Sequence, residues 1–465
     1  MNKSGGTTYG VPSFSTPVAI VTMIDPRDEF YENFLQMKGM DLKEQYLSSH
    51  AALKGSLNRE EVVDLGVIDR KAKVYEAADA IGASGGAGII INLPGWAPPG
   101  WGGIIHERTG LPILINAPFA LSGPMAMRGE LESLGADYDI SLGETKKLVQ
   151  FLQKAKAGKL LEALHGKRFG NVGGISMEMH YAELSSAGAL LDFGVEIIYI
   201  DGALILDRAN IIDGERLAAF MARLGEATGG LPDDPSGVLR RQVSYYLALK
   251  DIADEEGIDF LSVKCQPEFS DRYSCLCFVP TFLPLPYDLE GEKNMVPVSC
   301  EGDFFASMAA YLLMLLSGKP PLFADFIIPL YEENLLALQN CGGAPVWYAG
   351  NIDNPGEGMK GFALAKNVQG MSGSFCVDYN AKAIERVTIF GMGKRRDAYW
   401  ASALLGEVIE REDLKPLLMD WPTFFLKVPD ARECIRAFYT QHVAMVPGDH
   451  TMVLAELKRL LEGGG

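Results

Sequence analysis

Hydrophobic positions along the chain fall into short continuous runs, separated by stretches in which they recur every three or four residues. "PVAIVTMI" (17–24), "AGIIINL" (87–93) and "LPILINA" (111–117) are apolar runs of strand length. Such runs read as strands buried on both faces. Between them, 27–37 and "KAKVYEAADAIGAS" (71–84) carry helical periodicity, and "TKKLVQFLQKAKAGKLLEALHG" predicts a long helix stopped at Gly166. The alternation restarts with "GNVGGISM", a helix at 182–192, "EIIYID", helices at 213–226 and 237–256, and "DFLSVKC" (259–265). Two such alternations predict two doubly wound, Rossmann-like α/β domains in series. After residue 330 the texture changes. "APVWYAG", "KGFALAK", "SGSFCVDY", "ERVTIFGMG" and "TFFLKV" read as strands joined by Gly, Asn and Asp turns, with "TMVLAELKRLLE" as a closing helix. A mostly antiparallel, β-barrel-like C-terminal domain is expected there. The expected boundaries are 1–166, 167–318 and 319–465.

One segment breaks the pattern. In "SCEGDFFASMAAYLLMLLSGKPPLFADF" (299–326), only Ser307 and Tyr311 interrupt the apolar run from Phe304 to Leu316, yet Glu301 and Asp303 precede it and Asp325 follows. A helix apolar nearly all round belongs between layers. With "VPVSC" and "PLFADF" as its flanking strands, the segment reads as a right-handed βαβ unit whose strands are parallel and end on one edge. Glu301 and Asp325 stand at those ends, on strands about 4.8 Å apart, where open α/β sheets place ligands. Converging carboxylates repel unless a cation or shared proton lies between them. Oxygen-rich donors suit Mn²⁺ or Mg²⁺, with Co²⁺ a further candidate. Asp303 reads as the acid at the helix N-terminus. On the residues alone, cap and turn roles for Glu301 and Asp325 weigh about as much as ligation.

Composition narrows the class. The 465 residues are 48% hydrophobic and 22% charged, with 42 basic against 60 acidic residues and a net charge of −18. That balance argues against nucleic acid and anionic membrane as partners. Seven scattered cysteines without a CxxC pair read as reduced thiols. The polar N-terminus and the lack of a run of about 20 apolar residues lead to an expected cytoplasmic location. "GASGGAG" (82–88) follows a helix and precedes a strand, so it is a turn and not a dinucleotide fingerprint.

The acid stretch "CEGD", the apolar helix and "FAD" resemble L-fucose isomerase and, more loosely, L-arabinose isomerase. "GGISMEM", "FGVEIIYID", "DRA", "VKCQPEF" and "TQHVAMVPGD" follow that family in order. The resemblance implies Glu301 and Asp325 as catalytic, metal-binding acids, His442 as the third ligand and Gln266 as a substrate contact. It also implies a homo-oligomer, with a homohexamer expected and sites near subunit interfaces. There Trp96, on the loop "LPGWAPPGW", would enter a neighbouring copy's site. Trp96 and Trp101 both suit stacking on a sugar face; Trp96 is favoured. Lys264 and Glu268, beside a strand end, are further substrate-binding candidates, and Lys264 suits an ion pair equally well. His180 and His450 read as structural at least as well as functional.

The resemblance implies a metal-dependent aldose–ketose isomerase acting on a free sugar through a cis-enediolate. A 6-deoxyhexose, a pentose or a 6-substituted hexose is the expected substrate. Sulfoquinovose fits if the basic run "GKRRDAYW" (393–400), with Lys394, Arg395 and Arg396, faces the cleft; such a run is otherwise a solvated turn. The alternatives are a sugar-binding protein without turnover and a metal-dependent aldolase or lyase on the same scaffold.

Overall fold

The apolar runs of the first third become strands with no exposed face. In the computed structural model, which describes residues 14, 17–57, 62–371 and 373–463, β1 (Val18–Met23), β2 (Val62–Ile68), β3 (Gly88–Asn92), β4 (Ile113–Asn116) and β5 (Tyr138–Ser141) pair in parallel in the order β2-β1-β3-β4-β5. Successive side chains point to opposite faces. Ala19, Val21, Met23, Ile89 and Ile91 therefore fill one core, and Val18, Ile20, Ile90 and Leu114 fill the other. Helix Lys71–Ser84 coincides with the expected span. β2 escaped the pattern because "VVDLGVI" carries a polar Asp64 and is only partly buried. These elements belong to a compact unit of residues 15–159.

A second unit is built from residue 160 onward. Its parallel sheet contains β6 (Arg168–Val172), β7 (Glu196–Ile200), β8 (Phe260–Val263) and, beyond a two-residue hairpin of β9 (Tyr287–Asp288) and β10 (Gly291–Glu292), β11 (Val298–Cys300). The order is β11-β8-β6-β7. An antiparallel sheet follows: β12 (Leu322–Leu330) and β13 (Leu335–Gln339), then, after a separate hairpin of β14 (Ala363–Lys366) and β15 (Phe375–Asp378), β16 (Ile384–Arg395), β17 (Ala398–Ile409), β18 (Thr423–Lys427) and β19 (His442–Pro447). β19 pairs with both β16 and β12, so the six strands close on themselves. One apolar core runs through this unit, from Val172 and Val263 of the parallel sheet to Leu336 and Met445 of the antiparallel one.

Two expectations are corrected. β12 is not the parallel neighbour of β11, because it leaves that sheet and pairs antiparallel with β13 and β19. Helix Phe304–Ser317 therefore joins two different sheets and is not a βαβ crossover. Its apolar surface is explained by burial of every residue from Phe304 to Met314. "APVWYAG" is a 3₁₀ turn at Val346–Ala349, where Tyr348 donates to the carbonyls of Pro320 and Met445. Its apolar content signalled burial, and extension did not follow. Among the described residues, no helix is long and apolar enough to cross a membrane.

Candidate active site

Glu301 follows the last residue of β11 in a left-handed conformation, with φ +70, and Gly302 follows at φ +75. A side chain at Gly302 would collide with the carbonyl oxygen of Gly174, so glycine is required there. A non-glycine residue at positive φ persists only where its surroundings hold it. Here the Glu301 amide donates to the Val263 carbonyl at 2.7 Å, and its own carbonyl accepts from the Ser176 amide at 3.2 Å. The turn aims the carboxylate away from the sheet ladder and toward β19.

There it meets His442, which is 2% exposed. The ring's Nε2 lies 2.9 Å from Glu301 Oε2 and 3.4 Å from Asp325 Oδ1. Asp325 reaches it because antiparallel register sets Asp325 directly opposite His442 on adjacent strands. The convergence expected of these three residues is thus present, but it is made by a strand turn and a cross-strand pair. Asp303 does more than its expected part. Its Oδ1 accepts from the Ala306 amide at 2.9 Å as the helix cap, while its Oδ2 takes a hydrogen bond from His442 Nδ1 at 2.7 Å. One carboxyl group therefore starts the helix and orients the imidazole.

The electrostatics are lopsided. Three carboxylates surround one imidazole, and among the described residues no Lys or Arg pairs with any of them. Burial opposes charge on the His442 ring, but hydrogen bonds to Asp303 and Glu301, with Asp325 nearby, outweigh it and hold the ring protonated well above the usual histidine range. Burial also lifts Asp325 to about 7; His442 draws it down, while Glu301 and Asp303 push it further up.

The donors suit a hard dication in three respects. Two carboxylates and one imidazole are of the right chemistry. Asp303 supplies the carboxylate–imidazole bond that commonly orients a metal-binding histidine. Donor spacings of 2.9 and 3.4 Å are also near the edge of an octahedron with bonds of about 2.1 Å. As the side chains stand, however, no group of three His, Cys, Asp or Glu among the described residues forms a ready cation cage.

The remaining candidates divide. The Gln266 carbonyl accepts from Ser176 Oγ at 2.6 Å, and the same serine holds the Glu301 carbonyl, so Gln266 is tied to the turn. Lys264 and Glu268 form an ion pair at 3.0 Å and line a cavity of about 300 Å³ with Asp201, Arg272 and Tyr273, beside the ends of β6, β7 and β8. The Lys264 bond holds Glu268 below the usual carboxylate range. Trp96 lies in the 15–159 unit, 39% exposed on the loop after β3, whereas Trp101 is buried in that unit's core. His180 opens a 3₁₀ turn, and the His450 amide donates to Thr388.

Sequence reasoning missed Gln441 and Tyr181. The Tyr181 hydroxyl donates to Gln441 Oε1 at 2.9 Å, and Gln441 Nε2 lies 3.2 Å from His442 Nε2. Gln441 also lines a cavity of about 390 Å³ with Phe326, Tyr331, Phe438, Tyr439 and Thr440. Adjacency to His442 was the available signal for Gln441. Nothing local marked Tyr181.

No family model matches the chain. It is similar to the sulfoquinovose isomerase of Clostridium sp. (strain MSTE9), at 21% identity over 353 residues, 73% of this chain and 75% of the relative. It is likewise similar to the sulfoquinovose isomerases of Priestia aryabhattai and Priestia megaterium (strain ATCC 12872 / QMB1551), each 25% identical over 316 residues, 67% of either chain. Among solved structures, a periplasmic solute binding protein of an ABC transporter from Actinobacillus succinogenes 130z with bound D-allose covers 55% of this chain and 80% of its own, at 12% identity. Its TM-score of 0.15 carries no argument. The curated relatives are isomerases, and this chain is an isomerase of the intramolecular-oxidoreductase type.

Proposed function

We propose that the chain is a metal-dependent aldose–ketose isomerase converting a 6-sulfonated aldose, sulfoquinovose, into its 2-ketose. The observation that carries the reading is the meeting of Glu301, Asp325 and Asp303 on the two nitrogens of His442. The names of the curated relatives support the substrate. The resemblance to L-fucose isomerase extends the reading to a homo-oligomer in which Trp96 reaches a neighbouring copy.

Isomerisation removes the proton at C2 of the open-chain aldose and returns one to C1, leaving negative charge on O1 and O2 in between. A divalent ion held by Glu301, Asp325 and His442 would act as a Lewis acid on those two oxygens. Asp303 holds His442 Nδ1 at 2.7 Å, so the ring's Nε2 faces Glu301 and Asp325; with a cation bound there the ring would be neutral and would offer its Nε2 lone pair. Glu301 and Asp325, whose carboxylates lie 2.9 and 3.4 Å from His442 Nε2, take the C2 proton and return one to C1. Glu268 is the weaker base, because Lys264 holds it as a carboxylate at 3.0 Å. Gln441 and Tyr181 are placed to bind the sugar hydroxyls beside His442.

The test is turnover of an aldose panel in D₂O with Mn²⁺ supplied, read as deuterium incorporation at the transferred position. Glu301→Gln and Asp325→Asn are each expected to lower kcat by about a thousandfold. Chelation should abolish activity, and Mn²⁺ should restore it. Full turnover in either variant, or in chelated protein, overturns the reading.

A further inference from the structure

We infer that Arg395, stacked over Tyr439 of the wall of the cavity that Gln441 shares with the site at His442, is the specificity-determining residue for the substrate's sulfonate. The inference rests on the sulfosugar reading above and names the group that recognises the anionic end.

Gln441 lines both places: its amide touches His442 Nε2 at 3.2 Å, and its side chain forms part of the wall of the 390 Å³ cavity. Past Gln441, the cavity is the space into which the far end of a sugar whose first two carbons lie at the acids would extend. Two aromatic residues of the cavity wall, Tyr331 and Tyr439, each carry an arginine over the ring. Arg432 lies 4.4 Å from the Tyr331 centroid and Arg395 lies 5.4 Å from that of Tyr439.

Only one of the two is available to an anion. Arg432 already pairs with Glu332 at 3.4 Å. Lys394, beside Arg395, is drawn to Asp192 at 3.6 Å and to the Tyr399 hydroxyl. Among the described residues no carboxylate pairs with Arg395. In a chain of net charge −18, with 60 acids against 42 bases, Arg395 is an exposed guanidinium left open to an anionic ligand.

Packing ties the Arg395 hairpin to the site. A side chain at Gly391 would press on Phe438 and approach the His442 carbonyl, so β16 passes close to the site there. Two residues on, Gly393 gives its space to the Trp400 indole, which meets Tyr439 edge-on at 5.3 Å. Arg395 is thus held to the cavity wall through Trp400 and Tyr439. Its planar fork suits a sulfonate, which presents paired oxygens. The local cation is needed because charges are screened beyond about 8 Å at physiological salt, so an anionic sugar must find its counter-charge within the pocket.

The experiment compares Arg395→Met with Arg432→Met, each on sulfoquinovose and on D-glucose, with methanesulfonate as a competing anion. Arg395→Met is expected to lower the ratio of kcat/KM for the sulfonated over the unsubstituted sugar by about 100-fold, mostly through KM, and to abolish competition by methanesulfonate. Arg395→Lys should restore part of the ratio, and Arg432→Met should leave it unchanged. Thermal melting checks that Arg395→Met remains folded. An unchanged ratio in folded Arg395→Met, with sulfoquinovose still turned over, overturns the assignment of Arg395 and leaves the reaction standing. A parent enzyme inert toward every 6-sulfonated aldose overturns both.

Discussion

Asp303 shows how one side chain can be read correctly and still incompletely. Its position before an apolar helix marks a cap, and the Oδ1 bond to the Ala306 amide is that cap. Its second oxygen serves His442, whose strand begins 139 residues later. Removing the carboxylate should therefore have two separable effects. Asp303→Ala should cost about 1 kcal/mol of stability through the lost cap, measured by denaturant unfolding. It should also weaken Mn²⁺ binding by about 10- to 100-fold through the loosened imidazole, measured by calorimetry. Asp303→Ser, which keeps an N-cap oxygen, should regain the stability and not the metal affinity. Equal recovery of both would make Asp303 a cap and nothing more.

At the scale of elements, the second unit is braced by an ion network that the apolar pattern did not reveal. Arg216, on helix Gly214–Thr228, bonds Asp251 through two nitrogens at 2.7 and 2.9 Å and Glu290 at 2.6 and 2.9 Å. Lys250, on helix Val238–Glu256, bonds Asp288 and Glu290. Two helices are thereby tied to the β9–β10 hairpin. Arg216, and Lys250 with it, outweigh burial and hold Glu290 at about 2, below its ordinary 4.5. A carboxyl group depressed in the folded state contributes stability that is fully present above its unfolded value and is lost as pH falls through the folded value. The melting temperature should therefore fall between about pH 4.5 and 2, and Glu290→Gln should flatten that fall while lowering stability at neutral pH. Parallel pH–melting curves for the two proteins would remove Glu290 from this account.

At the scale of the molecule, the candidate catalytic groups are gathered in the unit beginning at residue 160, whereas Trp96 belongs to the 15–159 unit. Trp96 is 39% exposed, on a Pro- and Gly-rich loop at the carboxyl edge of a parallel sheet, where such sheets present ligand-binding groups. The proposed oligomer is checked by sedimentation at micromolar concentration, where a hexamer of about six times 50.6 kDa is expected. Trp96→Ala should raise KM and leave kcat nearly unchanged if the ring only stacks on substrate. A monomer with full activity would defeat this part of the proposal.

Much of the local structure was legible in the chain. Continuous apolar runs marked the parallel strands, helical period marked helix Lys71–Ser84, and the acids around the apolar helix, together with the family resemblance, singled out Glu301 and Asp325. Hydrophobic pattern reports whether a residue is buried and with what period, because those depend on the residue and its near neighbours. It does not report which strand lies alongside. That choice is made by long-range pairing, and only the tertiary structure moved β12 from the parallel sheet to the antiparallel one and set Asp325 across from His442. The left-handed turn at Glu301 is of the same kind, since it is held by Ser176 and Val263 from other strands and loops. The chain determined its elements and its acids, and the pairing of distant strands decided where those acids meet.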